Sequence, residues 1–321
     1  MPARLIQMTK RLLLSCLVLS HAHAQWEPLP PLPEPNGGFM CGVSAGKIAI
    51  IGGTNWTGGV KHWLKAVHQF DPGSMKWEHL RDLASPAAYG VSIENDPVLE
   101  FLGGTDGSMS LRKLVVVDAL KSITAEGIEL PAEVVLSAGG RVDETIVFAG
   151  GTNDAANLAG LTRRTYEISR EGLQQRADYP GKPFAVAASA VVGDELFVFG
   201  GMNYDAQAQA PVNSTEAYAF SPAKNAWRKL QPLPAANRGL CGVTLDDQHI
   251  YLAGGYTDDF KTDALIYDVK KDSYQKAKPL PYAAMVTLIK LDGYVYCLGG
   301  EDKKQSRTDK FFRIPVAELL K

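Results

Sequence analysis

Polar and aromatic side chains follow six double glycines along this chain of 321 residues. They comprise amides, acids and aromatic rings: Asn55, Trp56, Asp106, Asn153, Asn203, Tyr204, Tyr256 and Glu301. Three further polar residues come just before predicted strands: Asn36, Tyr89 and Arg238. Such side chains, if they converge on one pocket, suit a small polar ligand such as a sugar. Asn and Asp are also common turn formers, so each amide has a purely structural alternative.

The double glycines that carry these side chains recur at spacings of 51, 47, 50, 54 and 45 residues. A repeat of about 50 residues is typical of proteins built from stacked β units. A short apolar strand precedes each pair, as in residues 48–51 and 196–199. A turn with Gly, Asp or Asn precedes most of these strands, which is the pattern of a β-hairpin.

A second landmark follows three of the six double glycines. An aromatic residue ends one predicted strand and another begins the next, giving Phe70 with Trp77, Phe220 with Trp227, and Tyr267 with Tyr274. The pattern predicts four strands per repeat, and repeats two and three lack the clear aromatic pair. A lone four-stranded sheet cannot bury both faces, so the sheets must pack on one another.

These features resemble the kelch family of β-propellers along the whole of residues 25–321. The resemblance implies an all-β fold with six blades around one axis. Residues 25–29 match an outer strand but have no inner strands before them, and the sixth repeat ends after residues 311–314. We therefore expect the N-terminal strand to complete the last blade and remove its open edge.

A charged segment that begins at the sixth double glycine, residues 299–309, resembles a motif of the bacterial N-acetylneuraminate epimerases. Members of that family are exported sialic acid mutarotases. In that family the proposed catalytic pair is a Glu followed six residues later by an Arg, as Glu301 and Arg307 stand here. Residues 88–92, Ala-Tyr-Gly-Val-Ser, are similar to a strand phrase of the same family.

The resemblance implies a mutarotase that opens and recloses the ring of N-acetylneuraminic acid or a related sugar. Glu301 would be the acid/base, since shielding from water can tune a carboxyl pKa for proton exchange. Arg307 would grip the sugar carboxylate, with Arg238 as a second cationic contact. We expect Asn36, Asn55, Tyr89, Asn153 and Asn203 to bind substrate. The alternative is that Glu301 and Arg307 form only a structural ion pair across a loop.

Other functions remain open or are disfavoured by the composition. A non-catalytic propeller that binds carbohydrate or protein is the second hypothesis, and Trp56 and Trp63 could provide its aromatic platform. A copper-radical oxidase needs Tyr and His ligands, whereas His62, His68, His79 and His249 have no ligand spacing. We expect no metal and no cofactor. A net charge of -2 argues against a nucleic-acid partner, because phosphate binding needs basic patches.

The first 24 residues have the pattern of a secretory signal peptide. Basic residues precede an apolar run at 12–19, and Ala22-His23-Ala24 fits a cleavage site. The pattern predicts a periplasmic or secreted protein with no membrane segment after cleavage. We expect a monomer or a weak homodimer. The mature chain would keep Cys41, Cys241 and Cys297, which we expect to be small buried residues without a disulfide framework.

Overall fold

Six antiparallel sheets of three or four strands, each called a blade here, contain most of the strands in the described residues, beside one separate two-stranded hairpin. The structure is a computed structural model that describes residues 25–117 and 128–321. Neighbouring blades pack through their innermost strands, and the last blade also contacts the first, so the blades form a closed ring. The prediction of an all-β, six-bladed propeller is therefore confirmed.

The strands follow the repeats of the sequence. The first strand is β1 (Glu27–Pro28). Blade 1 contains β2 (Met40–Ser44), β3 (Lys47–Thr57), β4 (Val60–Asp71) and β5 (Lys76–Asp82). The described part of blade 2 contains β6 (Val91–Ile93), β7 (Leu99–Leu102) and β8 (Leu114–Val117). Blade 3 contains β9 (Ala138–Val142), β10 (Thr145–Ala149), β11 (Thr165–Ser169) and β12 (Gly172–Arg176), with a short 3-10 helix at Leu158–Gly160.

The second half of the chain repeats this order. Blade 4 contains β13 (Ala188–Val192), β14 (Glu195–Phe199), β17 (Ala217–Ser221) and β18 (Ala226–Lys229). A separate hairpin of β15 (Met202–Asp205) and β16 (Ala210–Asn213) interrupts it. Blade 5 contains β19 (Cys241–Thr244), β20 (His249–Ala253), β21 (Ala264–Asp268) and β22 (Ser273–Lys276). Blade 6 contains β23 (Met285–Leu291), β24 (Tyr294–Glu301) and β25 (Phe311–Pro315), followed by helix α1 (Val316–Leu319).

The N-terminal strand closes the ring, as the sequence predicts. Strand β1 pairs with β25, with Glu27 opposite Arg313. Two hydrogen bonds of 2.7 and 3.1 Å join the Arg313 guanidinium to the Glu27 carboxylate. The indole Nε1 of Trp26 donates to the carbonyl of Pro279 at 2.8 Å, which attaches the same segment to the neighbouring blade.

The double glycines join each blade to the next. The second glycine of each pair donates its backbone N–H to a carbonyl at the entry of the following blade, as Gly53 does to Ala87 at 2.8 Å. At the last pair, Gly300 donates to Asn36 at 2.8 Å and so links blade 6 to blade 1. Gly52 shows why a side chain is excluded, since its φ is +61° and an added Cβ would lie 2.1 Å from the Ala87 carbonyl oxygen.

The apolar core is divided among the interfaces between blades. In the described part of the chain, six buried clusters lie between successive blades. Phe70 of blade 1 packs edge-on against Phe311 of blade 6, with ring centroids 4.8 Å apart. The aromatic pairs seen in the sequence are direct cross-strand neighbours, with centroids 5.0 to 5.2 Å apart.

Three cysteines lie in the described residues, and all three are free. Cys41 and Cys297 are buried, and Cys241 is half-buried. Burial raises the pKa of the Cys241 thiol to about 11 and the pKa values of the other two thiols still further. These thiols therefore act as small packing residues at neutral pH.

The expected signal peptide, residues 1–24, lies outside the described residues. Within 25–117 and 128–321, no helix has the length and apolar character needed to cross a bilayer.

Candidate functional site

A ring of backbone turns surrounds the axis where the chain enters the innermost strands. The residues concerned all have positive φ, from 56° to 69°: Gly38, Tyr89, Leu136, Val186 and Gly239. Backbone hydrogen bonds of 2.7 to 3.1 Å join them in a chain: Tyr89 donates to Gly38, Leu136 to Tyr89, Val186 to Leu136, and Gly239 to Val186. The blade-to-blade hydrogen bonds therefore hold Tyr89, Leu136 and Val186 in a backbone conformation that is unusual for such residues and fix the directions of their side chains.

A cavity of about 400 Å³ lies against this ring of turns. Its described lining has an apolar part formed by Leu136, Val186, Met202, Leu240 and Met285. The polar part carries charged groups and a phenol: Lys61, Tyr89, Arg238, Glu301 and Arg307. A cavity with an apolar wall and a few convergent polar groups is the usual form of a site for a small molecule.

A second cavity, of about 270 Å³, continues along the axis between the innermost strands. Its lining shares Ala187, Leu240, Cys241 and Thr287 with the first. Its described lining holds two charged side chains, Glu94 and Arg141, among mostly small or apolar residues. We regard the first cavity, which has four charged side chains and a phenol, as the candidate site.

Glu301 and Arg307 form an ion pair in the cavity wall. Arg307 Nη1 lies 3.0 Å from Oε2 of Glu301, and the side chains are 4% and 29% exposed. The pair is therefore not a surface contact, because the guanidinium is almost completely enclosed while the carboxylate still faces the cavity. Burial of this kind makes the partners dependent on each other, since removing one leaves an enclosed charge.

The Arg307 guanidinium is also bonded to three other protein oxygens. Its Nε donates to Oγ1 of Thr54 at 3.1 Å, and its Nη1 donates to the carbonyl of Ser306 at 2.7 Å. Its Nη2 donates to the phenol oxygen of Tyr89 at 3.0 Å. The planar guanidinium thus joins residues of blades 1, 2 and 6, a role that its fixed fork of donors suits well.

Tyr89 lies between this guanidinium and a second cation. Lys61 Nζ is 4.7 Å from the centre of the Tyr89 ring and 4.3 Å from that of Trp63. Trp63 packs edge-on against Tyr89, with centroids 5.8 Å apart. Burial by itself raises the pKa of Tyr89, but the charges of Arg307 and Lys61 outweigh it and lower the pKa below the usual value.

Three glycines make room for these side chains. An added Cβ on Gly37 would lie 2.5 Å from Cδ of Arg307, and one on Gly38 would lie 2.2 Å from Cε1 of Tyr89. An added Cβ on Gly107 would lie 2.5 Å from the Trp63 ring. Side chains at these positions would push the guanidinium, phenol or indole out of place.

Arg238 reaches the cavity from the entry to blade 5. Its guanidinium lies 4.6 Å from the centre of the Tyr256 ring, and Nη1 donates to Oδ1 of Asn213 at 3.2 Å. Asn213 is held by bonds from its amide nitrogen to the carbonyls of Tyr256 and Thr257. Arg238 therefore has an ordered support, and together with Lys61 it gives the cavity two cations outside the Glu301–Arg307 pair.

The four amides expected to bind substrate do not line this cavity. Asn36 is 3% exposed, donates to the carbonyl of Gly52 at 2.8 Å and accepts from the N–H of Thr54 at 3.0 Å. Asn55 accepts from the N–H of Trp56 at 2.7 Å. Asn153 lies beside Gly160, and the buried Oδ1 of Asn203 has no hydrogen-bond partner. A role in substrate binding stays a prediction for each of them.

Sequence reasoning missed Lys61, Thr54 and the paired glycines 37 and 38. The signal for Lys61 was the Gly58-Gly59 pair between two alternating segments, which is typical of a hairpin tip. The resulting hairpin extends β3 and β4 and brings Lys61 over Tyr89.

In the part of the chain that the structure describes, no group of three His, Cys, Asp or Glu side chains is arranged to hold a metal ion.

Comparison with known proteins gives the site a context. Residues 128–278 match the family model of N-acetylneuraminate epimerase. The chain is 26% identical over 243 residues to an N-acetylneuraminate epimerase of Yersinia pestis, covering 62% of this chain and 60% of the relative. The chain resembles these epimerases. The matched family segment includes Arg238, Asn153 and Asn203, and it ends before Glu301 and Arg307.

The chain is also similar to another group of proteins. It is 23% identical over 269 residues to Kelch-like protein 36 of Bos taurus, covering 81% of this chain and 42% of the relative. It is 33% identical over 135 residues to Kelch-like protein 35 of Mus musculus, covering 40% and 21%. The chain spans about 60% of the length of the epimerases that it matches.

Proposed function

We propose that this protein is an exported mutarotase that interconverts the anomers of N-acetylneuraminic acid or a related acidic sugar. The observation that carries the proposal is the enclosed Glu301–Arg307 pair in the wall of a cavity that also holds two cations. The resemblance to N-acetylneuraminate epimerase supports the choice of substrate. Export to the periplasm or the cell exterior follows from the leader pattern in the sequence.

Mutarotation needs only proton exchange at two oxygens of the sugar. A base takes the proton from the anomeric hydroxyl, and an acid gives one to the ring oxygen as the bond between that oxygen and the anomeric carbon breaks. Rotation in the open chain and the reverse transfers then form the other anomer. Glu301, 29% exposed and in contact with the cavity, is the group that we assign to the anomeric hydroxyl.

The substrate carboxylate needs a cationic partner in the same cavity. Arg307 is 4% exposed and four protein oxygens surround its guanidinium. Arg238 and Lys61 also line the cavity. We therefore assign the carboxylate to Arg238 and Lys61, and give Arg307 the task of fixing Glu301 and Tyr89. This differs from the sequence-based expectation that Arg307 itself grips the carboxylate.

The second hypothesis is a propeller that binds carbohydrate or protein without catalysis. Large apolar side chains that are exposed in the described residues support it, namely Val60, Met109 and Val212. All three lie on segments that follow a double glycine. The similarity to Kelch-like proteins fits the same hypothesis.

Proton NMR of anomer exchange separates the two hypotheses. The exchange rate of N-acetylneuraminic acid is compared for the protein, for Glu301→Gln and for buffer alone at equal sugar concentration. We expect the protein to accelerate exchange and Glu301→Gln to abolish the acceleration. The control is Glu195→Gln, because Glu195 is ion-paired with Arg228 at 2.7 Å and does not line the cavity.

Each result has a defined meaning. Acceleration that survives in Glu301→Gln keeps the mutarotase and removes Glu301 from its role. Binding of the sugar without any acceleration supports the binding propeller instead. If the sugar neither binds nor exchanges faster in the presence of the protein, the assignment of an acidic sugar to this cavity is overturned.

A further inference from the structure

Ring opening needs a second proton-transferring group, and one cavity residue fits that need. Among the described residues that line the cavity, Glu301 is the one carboxylate. Arginine does not release its proton in proteins, and burial holds the pKa of the Cys241 thiol at about 11. The remaining groups with a transferable proton are the ammonium of Lys61 and the phenol of Tyr89.

We propose that Tyr89 is the residue that gives a proton to the ring oxygen while Glu301 takes one from the anomeric hydroxyl. The proposal rests on the mutarotase function stated above and adds a catalytic role to a residue that the sequence suggested only as a substrate contact. The geometry of its hydroxyl carries the argument.

The hydrogen bonds around the phenol commit its proton only to one long contact, which a ligand can replace. Arg307 Nη2 is a donor, so the Tyr89 oxygen must accept at 3.0 Å and point its own proton elsewhere. The other hydrogen-bond partner of the phenol is Oγ1 of Thr54, at 3.3 Å. That oxygen already accepts from Arg307 Nε at 3.1 Å and donates to the carbonyl of Gly37 at 2.9 Å. Thr54 has no second proton to donate, so Tyr89 is the donor in this contact. At 3.3 Å the contact is long, and a sugar oxygen in the cavity offers a better acceptor.

The surroundings also stabilise the phenolate that forms when the proton leaves. The charged groups that face the phenol are Arg307 and Lys61, and Glu301 reaches it only through Arg307. Both facing charges are positive, which favours the anionic form and lowers the pKa of Tyr89. Charges fixed in an enclosed site act without reorganisation when the proton moves.

The proton balance closes over one cycle. Glu301 gains the proton of the anomeric hydroxyl, the ring oxygen gains that of Tyr89, and the bond between the ring oxygen and the anomeric carbon breaks to leave a ketone. On reclosure, the Tyr89 phenolate takes the proton back from the chain hydroxyl as that oxygen attacks the carbonyl carbon. Glu301 returns its proton to the carbonyl oxygen, so no net proton is consumed.

The first test is Tyr89→Phe, measured by the same NMR exchange over a range of pH and sugar concentrations. We expect kcat to fall by about 100-fold with little change in KM, because a positioned acid contributes roughly that factor. The decline of kcat at alkaline pH, where the wild-type phenol loses its proton, should disappear in the variant. Tyr204→Phe is the control, since Tyr204 does not line the cavity.

A second variant keeps the test valid if Tyr89→Phe folds poorly. Replacement of Tyr89 by 3-fluorotyrosine keeps the shape and the hydroxyl but makes the phenol more acidic. The alkaline decline of kcat should then move to lower pH. A merely structural Tyr89 would leave the position of that decline unchanged.

The outcomes separate this inference from the proposed function. If the wild-type protein accelerates exchange and Tyr89→Phe retains its kcat and its alkaline decline, Tyr89 is not the acid and the mutarotase stands. If the wild-type protein gives no acceleration, both proposals fall together.

Discussion

The phenol oxygen of Tyr89 lies 3.0 Å from Nη2 of Arg307, although 218 residues separate them in the chain. Tyr89 lies just before β6, the first strand of blade 2. Arg307 lies in the loop between β24 and β25 of blade 6. Blade 1 lies between these two blades and contributes Thr54, which contacts both side chains. The contact therefore exists only in the closed ring, and several predictions about activity and stability depend on it.

Arg307→Lys should lower both activity and stability. A lysine keeps the charge but carries all its donors on one nitrogen. It therefore cannot contact Glu301, Thr54 and Tyr89 at once. We expect at least a tenfold lower kcat and a loss of about 1 to 3 kcal/mol in the free energy of unfolding, the usual range for bonds to an enclosed charge. Urea unfolding and NMR exchange measure the two effects.

The matched control is Arg313→Lys. Arg313 pairs with Glu27 at 2.7 Å on a more open surface, where the side chains are 20% and 49% exposed. Arg313→Lys should lower the free energy of unfolding by less than about 1 kcal/mol and leave kcat unchanged. Equal effects of the two substitutions would show that the enclosed position of Arg307 has no special importance.

Gly38→Ala should displace the Tyr89 ring and damage the site. Gly38 has φ of +69°, and an added Cβ would lie 2.2 Å from Cε1 of Tyr89. Gly46→Ala is the comparison, since Gly46 has φ of +73° and nothing lies within 4 Å of an added Cβ. Both variants should lose about 1 to 2 kcal/mol from backbone strain, but only Gly38→Ala should reduce anomer exchange. A Gly46→Ala variant as inactive as Gly38→Ala would contradict this account.

Removal of the cavity cations should weaken substrate binding more than it slows chemistry. Arg238→Met and Lys61→Met keep most of the apolar length of each side chain and delete its charge. We expect KM to rise by about tenfold for each, as charge-assisted bonds to a carboxylate contribute more than neutral ones, while kcat changes less. For an uncharged hexose, the affinity should be the same in the wild-type protein and in both variants. An unchanged KM in both variants would exclude them as the carboxylate site.

Asp268 should make blade 5 sensitive to acid. It accepts the N–H groups of Lys270 and Lys271 at 3.0 and 2.9 Å, and it is paired with Lys271 Nζ at 3.0 Å. Burial tends to raise the pKa of this carboxyl, but the hydrogen bonds from Lys271 and Gln248 and the Lys271 charge prevail and hold it well below 3.8. A lowered folded pKa means that the stabilisation is fully present above the unfolded pKa and is lost as pH falls through the folded value.

The measurement is the thermal midpoint of Asp268→Asn and wild type from pH 7 down to acid. Asp268→Asn should melt lower at pH 7, and the difference should shrink once the pH falls below 3.8, the unfolded value. Glu144→Gln is the control, because Glu144 is 84% exposed. A difference that stays constant with pH would mean that the ionised carboxylate is not what stabilises this turn.

The sequence alone determined the blades, because the signals involved are local. A double glycine marks a point where each strand meets the backbone of the next blade, and Phe70 with Trp77 marks a cross-strand pair. Both recur once per repeat, so the period reveals the unit. The closing strand could be inferred as well, since residues 25–29 resemble an outer strand without inner partners.

The composition of the cavity was decided by the tertiary structure. Amides such as Asn36 satisfy backbone groups beside the double glycines, and nothing local separates that role from ligand binding. Lys61, Tyr89 and Arg307 come from three blades and meet because hydrogen bonds between blades close the ring. A periodic pattern reports the contacts within and beside one repeat, whereas the convergence of side chains at the axis depends on all six blades together.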